Sequence, residues 1–315
     1  MRIRDSISLL SCHRLFLIEE NRKKTYLSYK LVKKTLLLKQ DNADIFFHEP
    51  VNNRVSIIIP TMNSAETLYK CLESIRLQSY KDIEIIVIDA HSSDNTAEIA
   101  SNFNAKIYLA TGERTTAKNF GISKTTGDFL FFIDSDMILQ PTVISECVSI
   151  CSCDCMVVGV IIPERSIGPG FWVRVRDFER SLYAGSKIES ARFFRKSFVV
   201  QAGGFDEDII FYEESTLHQK LEMRGLILNK RTKSVILHDE EGFDLAKWLR
   251  KKNYYSANAA LYSSRYPKYA EIQTKIYHRI RIFISNCNWK KLIRHPMLSI
   301  GLILLKTLEF FVSRI

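Results

Sequence analysis

The sequence lacks the features that mark several common classes of protein. It contains no uninterrupted apolar run of about 18 residues, the usual length of a membrane-spanning helix. Residues 1–10 hold no apolar core of signal-peptide type, so we expect the chain to stay in the cytoplasm. Cysteine is scarce, with seven among 315 residues. This odd number at low density argues against a disulfide framework and fits a reducing compartment.

Glycine is missing where two families of nucleotide-binding enzymes need it. The first strong strand signal is the apolar run Val55–Ile59, and the next residues, Pro60–Ser64, include no glycine. A Rossmann dehydrogenase would carry G-x-G-x-x-G at this place, so that class is disfavoured. A nucleotidyltransferase on a similar sheet would need a glycine-rich loop with an activating Lys or Arg there. It stays as a weaker alternative.

Acidic residues are in the minority, and the formal net charge is +10. A basic surface suits anionic partners such as nucleotides, lipid phosphates, acidic membranes or nucleic acid. The basic residues form no recognisable module for reading nucleic acid, so we expect no nucleic-acid partner. A basic nucleic-acid-binding protein remains the alternative from another functional class, because charge by itself does not select the partner.

The chain divides into three zones by composition. Residues 1–53 are basic and mixed, and they predict an N-terminal extension of one or two amphipathic helices followed by a linker. Residues 54–240 alternate strand and helix signals. Residues 241–315 are basic and aromatic, and they predict a C-terminal helical region.

The middle zone carries the pattern of an α/β domain. Strands are predicted at 55–59, 83–88, 106–109, 129–133 and 156–162, and helices at 66–78, from 94, at 116–123 and at 141–151. Repeated strand–helix–strand units indicate a doubly wound, mostly parallel sheet flanked by helices. In such sheets ligands bind at the carboxyl ends of the strands. The residues that follow each strand are therefore the candidate site.

A D-x-D sequence follows the fourth strand signal. Asp134 and Asp136 flank Ser135, and residues two apart in an extended segment point to the same side. Carboxylate oxygens suit a hard cation, so the pair predicts Mg²⁺ or Mn²⁺ binding, with a substrate diphosphate completing the shell. A solvated turn is the alternative for so short a motif.

Two further aspartates follow the second strand. Asp89 and Asp94 have carboxylates that can accept hydrogen bonds from a ribose hydroxyl or a base N–H, and this predicts a nucleoside site. For Asp94 alone, capping of the next helix is an equally good explanation.

Together these segments resemble the family 2 glycosyltransferases. The resemblance runs from Val55 to His238. It is carried by Pro60 and Asn63 of a P-x-x-N element, Glu66 at the next helix start, the Asp89–Thr96 loop, Ala117, Asn119 and Gly121, the Gly127–Asp136 signature, the Gly203–Asp206 turn and Tyr212–Leu217. The resemblance implies a GT-A fold and transfer of a sugar from a nucleotide diphosphate, usually with inversion and with a divalent cation.

The resemblance also implies roles for individual residues. Donor binding falls to Pro60, Thr61, Asn63, Glu66, Asp89, Asp94, Arg114, Lys118, Asn119, Asp134 and Ser135. Arg114 and Lys118 are candidates for the diphosphate, with ordinary surface charge as the alternative. His238 is a candidate third metal ligand beside Asp134 and Asp136, with a structural histidine equally compatible. A sugar-binding relative without activity is a further alternative.

Two positions depart from the family pattern. Ala90 follows Asp89 where a second acid is common, and Glu213-Glu214 stands where the base element is usually Glu-Asp. By position Glu214 replaces the aspartate, so we predict Glu214 as the general base, with Glu213 as its competitor. Without the resemblance, the alternative is that both glutamates lie in the first turn of a helix, where the helix dipole stabilises their negative charge.

The C-terminal zone ends in a basic and then apolar segment. Lys290, Lys291 and Arg294 precede the apolar stretch Met297–Leu305. Cations beside aromatic and apolar residues favour an amphipathic helix lying on an anionic membrane. We therefore expect a peripheral protein at the cytoplasmic face and a glycan or lipid-phosphate acceptor. A helix packed on the catalytic domain, or on another subunit, is the alternative.

Overall fold

The computed structural model describes residues 16–20, 23–27, 36–40, 43–47, 52–210, 212–256, 259–285 and 287–313. Its strands are β1 (Phe16–Glu20), β2 (Lys23–Leu27), β3 (Leu36–Gln40), β4 (Ala43–Phe47), β5 (Val55–Thr61), β6 (Ile83–Asp89), β7 (Lys106–Leu109), β8 (Phe129–Phe132), β9 (Met137–Leu139), β10 (Gly159–Ile161), β11 (Glu164–Ile167), β12 (Ala191–Arg195), β13 (Lys230–Arg231) and β14 (Ile236–Asp239).

Helices alternate with these strands and then form the C-terminal region. They are α1 (Ala65–Arg76), α2 (Thr96–Asn102), α3 (Arg114–Lys124), α4 (Val143–Cys153), α5 (Phe171–Tyr183), α6 (Lys196–Gln201), α7 (Glu213–Met223), α8 (Leu245–Ser256), α9 (Ala259–Arg265), α10 (Pro267–Thr274), α11 (Ile276–Ile284), α12 (Asn288–Arg294) and α13 (Pro296–Ser313).

The prediction of a helical N-terminal extension is wrong for the residues that the structure describes. Strands β1 and β2 pair antiparallel, with Glu20 opposite Lys23, and β3 and β4 pair antiparallel, with Gln40 opposite Ala43. Each pair is separated by only two residues in the sequence, a spacing typical of tight hairpins. Each of the four strands is five residues long, and its apolar residues occur in runs of at most three.

The central sheet has seven strands in the order β13-β10-β12-β8-β5-β6-β7. The neighbours β5–β6, β5–β8, β6–β7 and β10–β13 are parallel, whereas β12 runs antiparallel to β8 and β10. Every residue of β5 is buried, as expected for a strand covered by helices on both faces. The α/β prediction with a mostly parallel sheet is confirmed.

A smaller sheet covers the carboxyl edge of the central one. Its order is β11-β14-β9, with β14 parallel to β11 and antiparallel to β9. Because β9 follows the D-x-D segment directly, this sheet carries His238 opposite Met137, next to Asp136.

Helix α3 packs very closely on the central sheet at Gly121. A Cβ atom at this glycine would lie 2.6 Å from the Ile58 Cγ2 atom of β5, closer than any real side chain tolerates. The close approach fixes α3, and with it Arg114 and Lys118, against β5 of the central sheet. A packing requirement therefore explains this glycine of the A-x-N-x-G element.

The C-terminal helices pack on the rest of the chain, α13 against α5, and α9 and α10 against Ile209. Leu302 and Leu305 of α13 are buried against Val175 and Phe178 of α5. At Gly301 an added Cβ would lie 2.6 Å from the Phe171 ring, so the two helices are in close contact. Within the described residues no single helix meets the length and hydropathy expected of a membrane span. Only α12 and α13 taken together do, and they are bent by 109°.

Candidate active site

The ends of β5 and β6 form the floor of the candidate site. Asp89 ends β6 and is only 2% exposed. Its carboxylate accepts hydrogen bonds from the Thr61 hydroxyl at 2.8 Å, the Ser92 hydroxyl at 2.6 Å and the Ser92 amide at 2.9 Å. Asp89 thus holds the two strand ends together and shapes the loop that follows.

Asp94 and Asn63 connect the loops after these two strands. The Asp94 carboxylate accepts from the Ala65 amide at 3.0 Å and from the Thr96 amide at 3.1 Å. The Asn63 side-chain oxygen accepts from the Ser93 amide at 2.9 Å. The first turns of α1 and α2 are therefore tied to one carboxylate, the N-cap position of α2 is Asn95, and nucleoside binding by Asp94 stays a prediction.

The D-x-D segment lies where β8 turns into β9, and two of its carboxylate oxygens are unsatisfied. Oδ1 of Asp134 and Oδ1 of Asp136 are buried and accept no hydrogen bond. The intervening Ser135 hydroxyl donates to Ser64 Oγ at 3.0 Å, which joins this segment to the start of α1. Buried anionic oxygens without donors are energetically unfavourable, so they indicate a place for a cation.

Two cations from α3 balance Asp134. Although burial opposes ionisation, the charges of Lys118 and Arg114 lower the pKa of the Asp134 carboxyl below its usual value. Arg114 Nη1 is 3.7 Å from Asp134 Oδ1, and Lys118 is completely buried. Asp134 is therefore ionised at neutral pH, and neither cation is an ordinary surface charge.

The two glutamates at the start of α7 have different surroundings. Glu213 is buried, and its Oε1 accepts from Lys118 Nζ at 3.2 Å. The Glu214 side chain is 33% exposed, and Arg192 donates to its two oxygens at 2.9 and 3.0 Å. A bidentate pair of this kind fixes the carboxylate's orientation. Glu214 is thus the glutamate that is both oriented and open to the cleft.

His238 is directed to another carboxylate. Its Nε2 lies 2.9 Å from Glu164 Oε2 of β11, and Arg192 contacts Glu164 Oε1 at 2.5 Å. Among the described residues, no three His, Cys, Asp or Glu side chains gather as a metal-binding group. Asp134, Asp136 and His238 therefore do not form a three-ligand site as they stand, and His238 stays a prediction.

Asn119 supports the turn beneath the site. Its side-chain amide donates to the Phe205 carbonyl at 3.0 Å, and its oxygen accepts from the Phe205 amide at 2.9 Å. Gly204 in this turn has a φ of 68°, and a Cβ there would lie 2.5 Å from the Asn119 oxygen. Asn119 thus holds the Gly203–Asp206 turn in place, and this turn leads to the residues before α7.

One cleft of about 2050 Å³ joins most of these groups. The predicted residues that line it are Pro60, Thr61, Asn63, Glu66, Arg114, Asp134, Ser135, Asp136, Glu213, Glu214 and His238. The other four, Asp89, Asp94, Lys118 and Asn119, are absent from the lining and support it from behind. The structure thus divides the predicted residues into those that line the cleft and those that lie behind its lining.

The C-terminal helices complete this cleft, which the sequence did not predict. The Tyr255 hydroxyl of α8 accepts from Arg114 Nη2 at 2.7 Å, and the Tyr254 hydroxyl donates to Glu113 Oε1 at 2.9 Å. Lys251 lines the cleft in the same helix. The cluster of tyrosines and lysines in α8 was visible in the sequence, but nothing there indicated that it faces α3.

Comparisons with known proteins agree with this geometry. Residues 56–205 match the model of glycosyl transferase family 2. The chain is 34% identical over 97 residues to the glycosyltransferase GlyG of Streptococcus pneumoniae, covering 29% of this chain and 32% of that protein. It is 35% identical over 91 residues to GalNAc(5)-diNAcBac-PP-undecaprenol beta-1,3-glucosyltransferase of Campylobacter jejuni, covering 26% and 29%.

A solved structure shares the fold. The mannosyltransferase PcManGT of Pyrobaculum calidifontis, in complex with GDP-Man and Mn²⁺, aligns with a TM-score of 0.55 at 20% identity, over 82% of this chain and 76% of that chain. The chain spans about a third or less of the length of the curated relatives that it matches first. Residues 56–205 thus form a domain of the glycosyl transferase family 2 type.

Proposed function

We propose that the protein transfers a sugar from a nucleotide-diphosphate donor to an acceptor oxygen, with inversion at the anomeric carbon and with a divalent cation. One observation carries the proposal. The unsatisfied oxygens of Asp134 and Asp136 lie in the wall of the same cleft as the oriented carboxylate of Glu214. A cation site and a general base on one cleft are the two groups that this displacement needs.

The residues fit a hard divalent cation. Asp134 and Asp136 would hold Mg²⁺ or Mn²⁺ through their buried oxygens, with the donor's diphosphate supplying further oxygen ligands. When bound, the cation supplies positive charge to the departing diphosphate oxygen. Arg114 lies beside Asp134 and lines the cleft, so its guanidinium is placed to contact the same diphosphate. The Mn²⁺ in the mannosyltransferase of similar fold supports this assignment.

Glu214 provides the base in this proposal. The acceptor hydroxyl gives its proton to Glu214 as its oxygen bonds to the anomeric carbon. The bond between that carbon and the diphosphate breaks, and the diphosphate leaves with the electron pair. Arg192 holds the Glu214 carboxylate through two hydrogen bonds, whereas Glu213 is buried and accepts a hydrogen bond from Lys118.

Donor binding tests the proposal without an acceptor. We expect one of UDP-, GDP- or dTDP-sugars to bind the full chain in isothermal titration calorimetry, and Mn²⁺ to strengthen that binding at least tenfold, or about 1.4 kcal/mol. The gain with Mn²⁺ should vanish on addition of EDTA. Absence of binding by every nucleotide sugar in the presence of Mn²⁺ would contradict the proposal.

We also propose that the protein attaches to the cytoplasmic face of a membrane through α12 and α13. Outside the cleft lining, α13 carries three exposed apolar side chains at helical spacing, Met297, Ile300 and Leu304. Trp289 of α12 is 47% exposed, beside exposed Lys290, Lys291 and Arg294. Apolar residues bordered by cations are the pattern of a helix lying in the interface.

Replacing Lys290, Lys291 and Arg294 together with glutamine should release the protein from acidic liposomes. Near an anionic surface each cation contributes about 1 kcal/mol, so the three changes should weaken binding by about 3 kcal/mol, roughly a hundredfold. Flotation with vesicles rich in phosphatidylserine measures the effect. This variant keeps α13, whose buried face the fold requires.

The matched control removes three exposed lysines elsewhere, Lys81, Lys230 and Lys233, by the same change to glutamine. It lowers the net charge equally but leaves α12 intact, so flotation should change little. Equal recovery of wild type and the α12 variant with the vesicles would contradict attachment through this helix.

A further inference from the structure

The cleft is larger than one donor needs. Its volume of about 2050 Å³ is roughly twice the upper end of the range of about 300–1,000 Å³ that is usual for ligand sites. Beyond Glu214 it continues between α5, α8, α11 and α13, away from the loops after β5 and β6. Helices α8, α11 and α13 lie outside the family match, whereas α5 lies inside it, and this second half has room for a second ligand beside the donor.

Three cations from three helices meet in this second half. They are Lys252 of α8, Arg279 of α11 and Lys306 of α13. Lys306 contacts Glu179 and lies 2.7 Å from Glu309 Oε1, while Arg279 Nη1 is 4.0 Å from Glu309 Oε2. Two carboxylates therefore face three cations, and the cluster keeps an excess of positive charge.

Lys252 is the cation of this cluster that forms no direct salt bridge with a described carboxylate. Its ammonium lies 5.1 Å from the centre of the Trp248 ring. Burial lowers the pKa of Lys252 to about 8; the charges of Glu309 and Glu179 oppose this shift, and those of Lys306 and Arg279 add to it. A phosphate at this place would supply the missing negative charge.

Apolar side chains line the cleft beyond the cations. Ile276, Ile280 and Ile284 project from α11 and are 58%, 49% and 56% exposed. Ile303 of α13 faces the same opening and is 67% exposed. Such surface is normally covered in a complex, and a hydrocarbon chain continuing from the cationic cluster would cover it.

The cationic cluster also adjoins the general base. Arg279 Nη2 donates to the Tyr212 hydroxyl at 2.6 Å, and Tyr212 immediately precedes Glu213 and Glu214. Tyr212 and Glu214 both line the cleft. The same cleft therefore carries a base, cations linked to it through Tyr212, and apolar side chains on the helices that supply two of those cations.

We propose that this half of the cleft binds a lipid-linked acceptor. Its phosphate lies at Lys252, Arg279 and Lys306, its hydrocarbon chain lies along Ile280 and Ile303, and a sugar hydroxyl beyond the phosphate reaches the base. Such a molecule has a group for each of these surfaces: a hydroxyl for the base, a phosphate for the cations and a hydrocarbon chain for the apolar side chains. A free glycan has neither a phosphate nor a chain to cover them. The inference rests on the proposed glycosyl transfer and names its acceptor.

Binding of farnesyl phosphate to the full chain tests the site. The probe is used as a monomer below its aggregation concentration, and binding is followed by calorimetry. We expect saturable binding, and at least tenfold weaker binding of farnesol and of inorganic phosphate, because each lacks one of the two parts. Lys252→Gln should weaken binding of farnesyl phosphate about tenfold, since it removes one charge-assisted contact.

Two substitutions on α13 form a matched pair for the apolar part. Ile303→Glu places a charge in the cleft and should weaken farnesyl phosphate binding about tenfold. Ile300→Glu, one turn earlier and 62% exposed, lies outside the cleft lining and should leave binding unchanged. Both positions are exposed, so neither change should prevent folding.

Several results would overturn the acceptor site. One is equal binding of farnesol and farnesyl phosphate by the wild type. Another is unchanged farnesyl phosphate binding in both Lys252→Gln and Ile303→Glu. A third is an equal loss of farnesyl phosphate binding in Ile300→Glu and Ile303→Glu. Mn²⁺-dependent nucleotide-sugar binding is measured on the same samples. If that binding is intact while farnesyl phosphate fails to bind, only the acceptor site is wrong. If no nucleotide sugar binds, the proposed transfer itself is wrong.

Discussion

Replacing Asp136 with alanine should remove the Mn²⁺-dependent part of donor binding, a loss of at least roughly tenfold in affinity, or about 1.4 kcal/mol. Asp136 supplies one of only two carboxylates with free buried oxygens at this place, so the cation would keep one protein ligand. Calorimetric titration of the nucleotide sugar, with Mn²⁺ and with EDTA, measures the effect.

The fold should tolerate this change. A buried carboxylate oxygen without a hydrogen-bond donor destabilises the folded chain, so its removal should leave the melting temperature without metal equal or higher. Asp82→Ala is the control, because Asp82 is a half-exposed carboxylate paired with Arg54 at the start of β6. Undiminished stimulation by Mn²⁺ in Asp136→Ala would show that the cation binds elsewhere.

Replacing Glu214 with glutamine should stop turnover and leave donor binding within about twofold of wild type. Loss of a general base typically lowers the rate by about 10²–10⁴. Glutamine keeps the shape of the side chain and one acceptor for Arg192, so the cleft should keep its form. The rate of sugar transfer to acceptor and the donor affinity are measured on the same preparation.

Glu213→Gln separates the two glutamates. Glu213 is buried against the fully buried Lys118, so its replacement leaves a buried ammonium with a weakened partner and should lower the melting temperature. Glu214→Asp, which restores the acid implied by the family pattern, should retain part of the activity. Sugar transfer at the normal rate by Glu214→Gln would show that another group accepts the proton.

The donor end of the site could be predicted from the sequence because its residues follow strong strand signals. The runs that became β5, β6 and β8 are rich in Ile, Val and Phe, and their buried faces leave little choice of structure. Parallel strands then bring their carboxyl ends to one edge. Asp89 and Asp134 could thus be placed together before any coordinates.

Arg192 could not be found by the same rule. It lies at the start of β12, which runs antiparallel to β8, so its amino end meets the carboxyl ends of the parallel strands. A search of the residues after each strand passes over it. Glu164 was missed because β11 is a short strand of a second sheet, whose pairing depends on β9 and β14. The acceptor half depends on how α8, α11 and α13 pack, which no local pattern specifies.

The continuity of the cleft has a consequence for kinetics. A sugar donor at Asp134 and an acceptor at Lys252 would occupy one connected space on either side of Glu214, and neither has to leave before the other enters. Initial-rate plots at several fixed concentrations of one reactant would then intersect rather than run parallel. The enzyme would work through a ternary complex, and no sugar would ever reside covalently on the protein.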